Sequence, residues 1–258
     1  MGSKNKISKD ISSIINKYIK DNNITDFYDV FCGGANLADK IICDNIYCSD
    51  LSPTLIALHK QAQTDFSIIP EEDSREWWDA AYADYKIILK NLSEKKSLED
   101  YQELVEMPLW KIGAIEWYAS YNSRGFIGGY GKPTPTIHKY VSDRKNHLKQ
   151  SQNPIYQKIN FSCADYQNLE IPENALIFCD SPYKGVKPYQ INPHFNHAKY
   201  YEWLREKSKT NPIFISEQEM PDDFNVIWQK EVKRTMELKN RPTKIEKLYF
   251  IDRRENNG

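Results

Sequence analysis

Asp180, Ser181, Pro182 and Tyr183 follow directly on the apolar run Leu176 to Cys179, and no other junction in the chain offers as much chemistry. The run reads as a buried strand that delivers the four residues at its carboxyl end, where open α/β sheets bind their ligands. A carboxylate and a main-chain carbonyl stiffened by proline can both accept hydrogen bonds from an exocyclic amino group, while the tyrosine ring stacks on a heterocycle. A flat, amine-bearing base is what such a group could hold. Asp-Ser-Pro-Tyr is also an ordinary surface-turn sequence, so the reading depends on what stands upstream.

Upstream, Phe31-Cys32-Gly33-Gly34-Ala35 closes an earlier apolar run, and glycine there lets backbone approach a ligand closely. Asp50 ends the next run, sixteen residues past Gly34. An acid at that place can accept hydrogen bonds from ribose hydroxyls. A dinucleotide site would prefer G-x-G-x-x-G, but Ala35, Leu37 and Ala38 occupy the later positions. The pattern disfavours NAD and favours S-adenosylmethionine.

These residues need a sheet to position them. The spacing of Ile7, Ile11, Ile14, Ile15, Tyr18 and Ile19 predicts an amphipathic helix over 7–20. Strands are expected at Phe27–Phe31 and Ile46–Ser49, with a helix over about 35–42 between them and another from Pro53 to about 62. From 65 to 106 the chain reads as polar helix, with Trp77, Trp78, Tyr82 and Tyr85 as a core stripe. Glycines and prolines break residues 120–135 into loop, and a helix is expected over 136–150. Strands then return at Ile155–Phe161, Leu176–Cys179, Ile213–Ser216, Val226–Glu231 and Lys247–Ile251. A sheet interrupted by so long a helical stretch implies an inserted domain.

Composition narrows the function classes. Hydrophobic residues at 40% and charged residues at 28% of 258 argue for a folded, soluble chain. No apolar run approaches the roughly 18 residues that span a bilayer, and the N-terminus lacks the apolar core of a signal peptide. A cytosolic location is expected. Five cysteines without a CxxC pair read as free thiols, and His194 and His197 have no partners suited to a metal. Residues 111–160 carry eight Lys/Arg against two Asp/Glu, interleaved with Trp117, Tyr118, Tyr121, Phe126, Tyr130, Tyr140 and Tyr156. That asymmetry is the expected footprint of a nucleic-acid face, with Lys132, Lys139, Arg144, Lys145 and Lys149 as candidate phosphate contacts.

Taken in order, these segments resemble the Dam-type, adenine-specific DNA methyltransferases, of the variety often carried by bacteriophages and prophages, over nearly the whole chain. Met1 to Lys6 is similar to the family's motif X, Tyr28 to Asn36 to motif I, and Ser49-Asp50 to the acidic end of motif II. Asp180 to Tyr183 resembles motif IV, usually Asp-Pro-Pro-Tyr. Ser120 to Arg124 with Gly128-Gly129-Tyr130, and Phe214 to Glu217 with Pro221 to Phe224, are similar to segments of phage-type members. Ser181 departs from the usual proline, Asp29-Val30 stands where Glu-Pro is common, and the chain begins inside motif X.

The resemblance implies an α/β, Rossmann-like S-adenosylmethionine-dependent methyltransferase sheet from residues 1–54 and 151–258, with a mostly helical target-recognition domain inserted over 55–150. Lys4 would close the cofactor pocket, Phe31, Gly33 and Gly34 would face the methionine, Asp50 the ribose, and Asp165 and Tyr166 the adenine. Asp180, which also borders the cofactor, would join Ser181, Pro182 and Tyr183 in holding the target base. Tyr121, Asn122 and Arg124 join the DNA-binding set. The expected partner is double-stranded DNA, with no membrane and no metal, and a monomer is the working expectation. Cytosine-N4 methylation and a catalytically idle DNA-binding protein are the alternatives.

Overall fold

The computed structural model describes residues 7–92, 96–121, 125–131, 139–183, 185, 190–233 and 243–254. Within them, Asp26–Asp29 (β1), Asn45–Asp50 (β2), Asn160–Cys163 (β3), Leu176–Cys179 (β4), Ile213–Glu217 (β5), Asn225–Lys233 (β6) and Thr243–Ile251 (β7) form one sheet. Its order is β3-β2-β1-β4-β5-β7-β6. Pairings from β3 through β5 are parallel, and β7 runs antiparallel between β5 and β6. Chain order reverses between β1 and β4, which opens a crevice at the carboxyl ends of those two strands. This is a Rossmann-like α/β sheet.

The helices are Ser8–Asp21 (α1), Pro53–Thr64 (α2), Arg75–Lys90 (α3), Leu98–Gln102 (α4), Leu109–Tyr118 (α5), Lys139–Ser151 (α6) and His197–Lys207 (α7). Ile11, Ile15 and Ile19 of α1 bury against a core that holds Phe27, Ile41, Phe178 and Phe214. The opposite face packs Ile177, Cys179, Ile213 and Ile215 under Tyr200 and Leu204 of α7. Adjacent residues such as Ile177 and Phe178 point to opposite cores, as a strand's period of two requires, and each such burial contributes about 1.5–3 kcal/mol.

Ser52 caps α2 by accepting from the Leu55 amide at 3.3 Å, and Pro53 fills the first helical position, where its missing N–H costs nothing. Helix α2 packs against β2 and β3 as well as α5, so the boundary expected at residue 54 falls in its first turn. At Gly113 of α5 a Cβ would stand 2.3 Å from the Thr54 carbonyl, so only glycine permits this approach of the two helices. Of the aromatic stripe on α3, Trp78 and Tyr85 are buried, while Trp77 and Tyr82 are partly so.

Two expected elements differ. The helix over 35–42 is a single 3-10 turn, Ala38–Lys40, because Ala35 is left-handed at φ 52° and Ile41 is already extended at ψ 133°, which leaves too short a stretch between them for an α-helix. The strand expected at 155–161 begins only at Asn160. Before it, Tyr156–Lys158 is a 3-10 turn, started by the Asn153 side chain on the Ile155 amide at 2.9 Å, and Tyr156 is fully buried. Among the described residues no helix is long and apolar enough to cross a membrane, and no group of three or more His, Cys, Asp or Glu could hold a metal ion.

Candidate active site

The crevice gathers three carboxyl groups from neighbouring strands: Asp29 ends β1, Asp50 ends β2 and Asp180 follows β4. Asp29 is buried, accepts from the Phe31 amide at 3.4 Å, and has its carboxyl pushed well above the usual range by burial, then by the charges of Asp180 and Asp50. Asp29 had no role in the sequence reading. Its place one strand-end from the glycine loop was the available signal.

Asp50 binds that loop directly. One oxygen accepts from the Gly33 amide at 3.1 Å and the other from Ser52 at 2.9 Å, and burial raises its pKa. The Leu51 amide also bonds this carboxylate, which has about four lone-pair directions, so capacity remains for a ribose hydroxyl. The space a Cβ would take at Gly33 is clear to 4 Å, leaving backbone open to a ligand. A nucleoside-bearing cofactor fits these residues. The loop is also held by residues that sequence reasoning missed: His59 reaches the Gly33 carbonyl at 2.8 Å, and Gln150 reaches the carbonyls of Gly34 and Ala35 at 3.1 Å each. All three interactions join positions distant in sequence, so no local pattern announces them.

Phe31, Tyr166, Phe195 and Tyr200 form an aromatic cluster, with Phe31 and Tyr166 centroids 5.1 Å apart. Tyr166 is buried there, leaving little ring surface for another partner. Asp165 caps the turn it opens, accepting from the Gln167 amide at 2.9 Å.

At the end of β4 the Ser181 hydroxyl is buried beside that of Tyr200. The half-buried Tyr183 donates to Glu246 of β7 at 3.1 Å, and Glu246 also pairs with Lys244. Burial, then the charges of Asp180 and Glu246, pushes the Tyr183 hydroxyl upward, so it remains a donor. Glu246 and Lys244 lie more than sixty residues along the chain from Tyr183 and were not anticipated.

The basic, aromatic-rich segment divides. Tyr118, Phe126, Tyr140 and Tyr156 are core, with Phe126 stacked among Trp78, Tyr82 and Tyr85, while Tyr121 is 61% exposed. Lys139 caps α5 through the carbonyls of Trp117 and Tyr118 at 3.2 Å each and pairs with Asp143. Arg144 donates to the Ile69 carbonyl at 2.9 Å and lies over the Phe66 ring. Lys145 and Lys149 are exposed. Lys4, Asn122, Arg124 and Lys132 lie outside the described residues.

A sheet of this order, with acids and a glycine loop at its carboxyl end, defines a Rossmann-like methyltransferase. The family model of the D12 class N6 adenine-specific DNA methyltransferases matches residues 1–210, and the chain belongs to that family. It is accordingly an S-adenosylmethionine-dependent enzyme that methylates adenine in DNA. No curated protein matches it in sequence. Among solved structures it is similar to a candidate RNA methyltransferase, PH1948 of Pyrococcus horikoshii, at 8% identity and a TM-score of 0.40 over 96% of this chain and 84% of that one. It is also similar to Thermoplasma acidophilum 1320, at 11% identity and 0.39 over 98% of each chain. SMU.472, a candidate methyltransferase solved with SAH, has 9% identity and 0.30 over 88% of this chain and 48% of that one.

Proposed function

We propose that the chain methylates an adenine flipped out of double-stranded DNA, with the Asp180 carboxylate and the Ser181 carbonyl holding the N6 amino group and Tyr183 stacked on the ring. The main support is the convergence of Asp180 with the Asp50-bound Gly33 loop at one end of the sheet. Phe31, Gly33, Gly34 and Asp50 would hold the cofactor, with Asp165, Tyr166 and Lys4 at its edges. The cofactor supplies an activated methyl group on a sulfonium.

The amino nitrogen is a poor nucleophile because its lone pair is delocalised into the ring. Two acceptors favour a more tetrahedral nitrogen and stabilise the positive charge that grows on it. Alignment does the rest, so Asp180 need not be a strong base. Flipping the base costs a few kcal/mol, offset by stacking and phosphate contacts. Residues 55–150 would form the target-recognition domain, with Tyr121, Lys145 and Lys149 as its exposed contacts. The setting we infer is a bacterial cytoplasm, with a phage or prophage origin and a monomeric enzyme.

Transfer of a tritiated methyl group to duplex DNA, followed by digestion to nucleosides, tests the reading. N6-methyldeoxyadenosine is the expected product. N4-methyldeoxycytidine would move the substrate to cytosine, and DNA binding without transfer would leave an idle binder.

A further inference from the structure

Beneath the cofactor loop runs a buried chain of two histidines and two tyrosines. His59 Nε2 meets the Gly33 carbonyl at 2.8 Å, and His59 Nδ1 meets the Tyr156 hydroxyl at 2.7 Å. The same hydroxyl meets His147 Nε2 at 2.8 Å, and His147 Nδ1 bonds the hydroxyl of Tyr118. His59 is 2% exposed, and its ring stacks on Phe161 with centroids 4.5 Å apart and planes within 4°. The four residues come from α2, α5, α6 and the turn before β3.

One end fixes every proton in the chain. A carbonyl only accepts, so His59 carries a proton on Nε2, and a ring that burial keeps neutral then presents a bare Nδ1. Tyr156 then donates its only hydroxyl proton to His59, which obliges His147 to donate from Nε2. His147 Nδ1 is left to accept from Tyr118. The chain therefore runs one way, Tyr118 to His147 to Tyr156 to His59 to Gly33. Burial keeps both histidines neutral by pushing both pKa values down, that of His59 to about 4.

We propose that His59 is a positioning residue for the cofactor: its Nε2–H, held in place by the Tyr118–His147–Tyr156 chain that donates to its Nδ1, fixes the Gly33 carbonyl and so the loop on which S-adenosylmethionine sits. This rests on the reading that the Gly33 loop is the cofactor site. A network serving only the core could end on any buried acceptor. This one ends on the residue whose amide is held by Asp50 at 3.1 Å and whose φ is 47°. Glycine is the residue least able to hold one conformation unaided. Clamped on its N–H from β2 and on its C=O from α2, it has one shape before ligand arrives, and a preformed site loses less affinity to ordering.

Three variants of the full chain test the proposal, with calorimetric affinity for S-adenosylhomocysteine as the readout and urea unfolding as the control. His59→Leu removes both bonds. His59→Gln keeps an N–H near the position of Nε2 but loses the Nδ1 acceptor. Tyr156→Phe keeps His59 and removes the hydroxyl that donates to its Nδ1. We expect His59→Leu to weaken binding by roughly tenfold or more, on the scale of one buried hydrogen bond, and His59→Gln to recover most of that loss. Tyr156→Phe should fall between them, and DNA affinity should stay unchanged in all three.

Nitrogen-15 spectra of the wild-type imidazoles should show both His59 and His147 protonated at Nε2. Wild-type affinity in a folded His59→Leu, or equal losses in the Leu and Gln variants, would overturn the proposal. So would an Nδ1–H tautomer at His59. If His59→Leu does not fold, Tyr156→Phe and His59→Gln decide, and wild-type affinity in Tyr156→Phe counts against the chain. A wild-type protein that binds no S-adenosylhomocysteine would instead overturn the site reading on which the proposal rests.

Discussion

The Tyr183 hydroxyl donates to the Glu246 carboxylate at 3.1 Å, tying the ring that follows β4 to strand β7. If that ring stacks on the target base, Glu246 sets its orientation before DNA arrives. Glu246→Ala should lower kcat by about tenfold, the loss of one charge-assisted hydrogen bond, while cofactor affinity holds. Tyr183→Phe should show a similar loss, and Tyr183→Ala a larger one because stacking goes as well. Steady-state kinetics on the three variants give the comparison. Equal rates in Tyr183→Phe and Tyr183→Ala would mean that the ring does not stack.

The basic segment should split by role. Lys145 and Lys149 are exposed, so alanine at either should weaken binding to all DNA sequences and reduce the salt slope by about one unit. Lys139 and Arg144 bond backbone carbonyls within the fold. Alanine at either should cost about 1–3 kcal/mol of stability and leave the slope nearly unchanged. Anisotropy titrations at several salt concentrations, paired with urea melts, separate the two patterns.

Glu116 of α5 is buried, accepts from Thr54 Oγ1 at 3.0 Å, and has its carboxyl pushed up to about 8, chiefly by burial. A raised carboxyl binds its proton more tightly in the folded state. Its contribution to stability is therefore full below about 4.5 and is lost as pH rises toward 8. Between about pH 5 and pH 8 the wild type should lose on the order of 2–4 kcal/mol relative to Glu116→Gln, which keeps an acceptor and cannot ionise. Urea midpoints for the two proteins at each pH measure it. Parallel pH profiles would show that Glu116 does not titrate in this window.

What was legible in the sequence was what is local. Alternation and apolar runs place β1, β2 and β4, and Asp50 and Asp180 fall at their ends because strand ends can be read from the pattern. The helix expected over 35–42 failed because apolar spacing does not register that Ala35 is left-handed and Ile41 extended. The aromatics of 111–160 suggested a binding face, but Phe126, Tyr140 and Tyr156 are core. A ring looks the same in sequence whether it stacks on a base or on a neighbouring helix. His59, Gln150, His147 and Glu246 were invisible for a different reason: each acts on a partner brought near only by the tertiary fold.

Single-turnover methyl transfer by Asp180→Ala, at saturating DNA and labelled S-adenosylmethionine, tests the central claim most directly. Asp180 is placed to act on the amino group of a base already flipped, so its contribution should fall in the transition state and not in binding. The account predicts a rate reduced by about a thousandfold or more, the scale of losing a preorganised electrostatic partner. Dissociation constants for cofactor and DNA should stay within about threefold of wild type, under 1 kcal/mol. A variant that methylates adenine at near wild-type rate would contradict the account and return Asp180-Ser181-Pro182-Tyr183 to an ordinary turn.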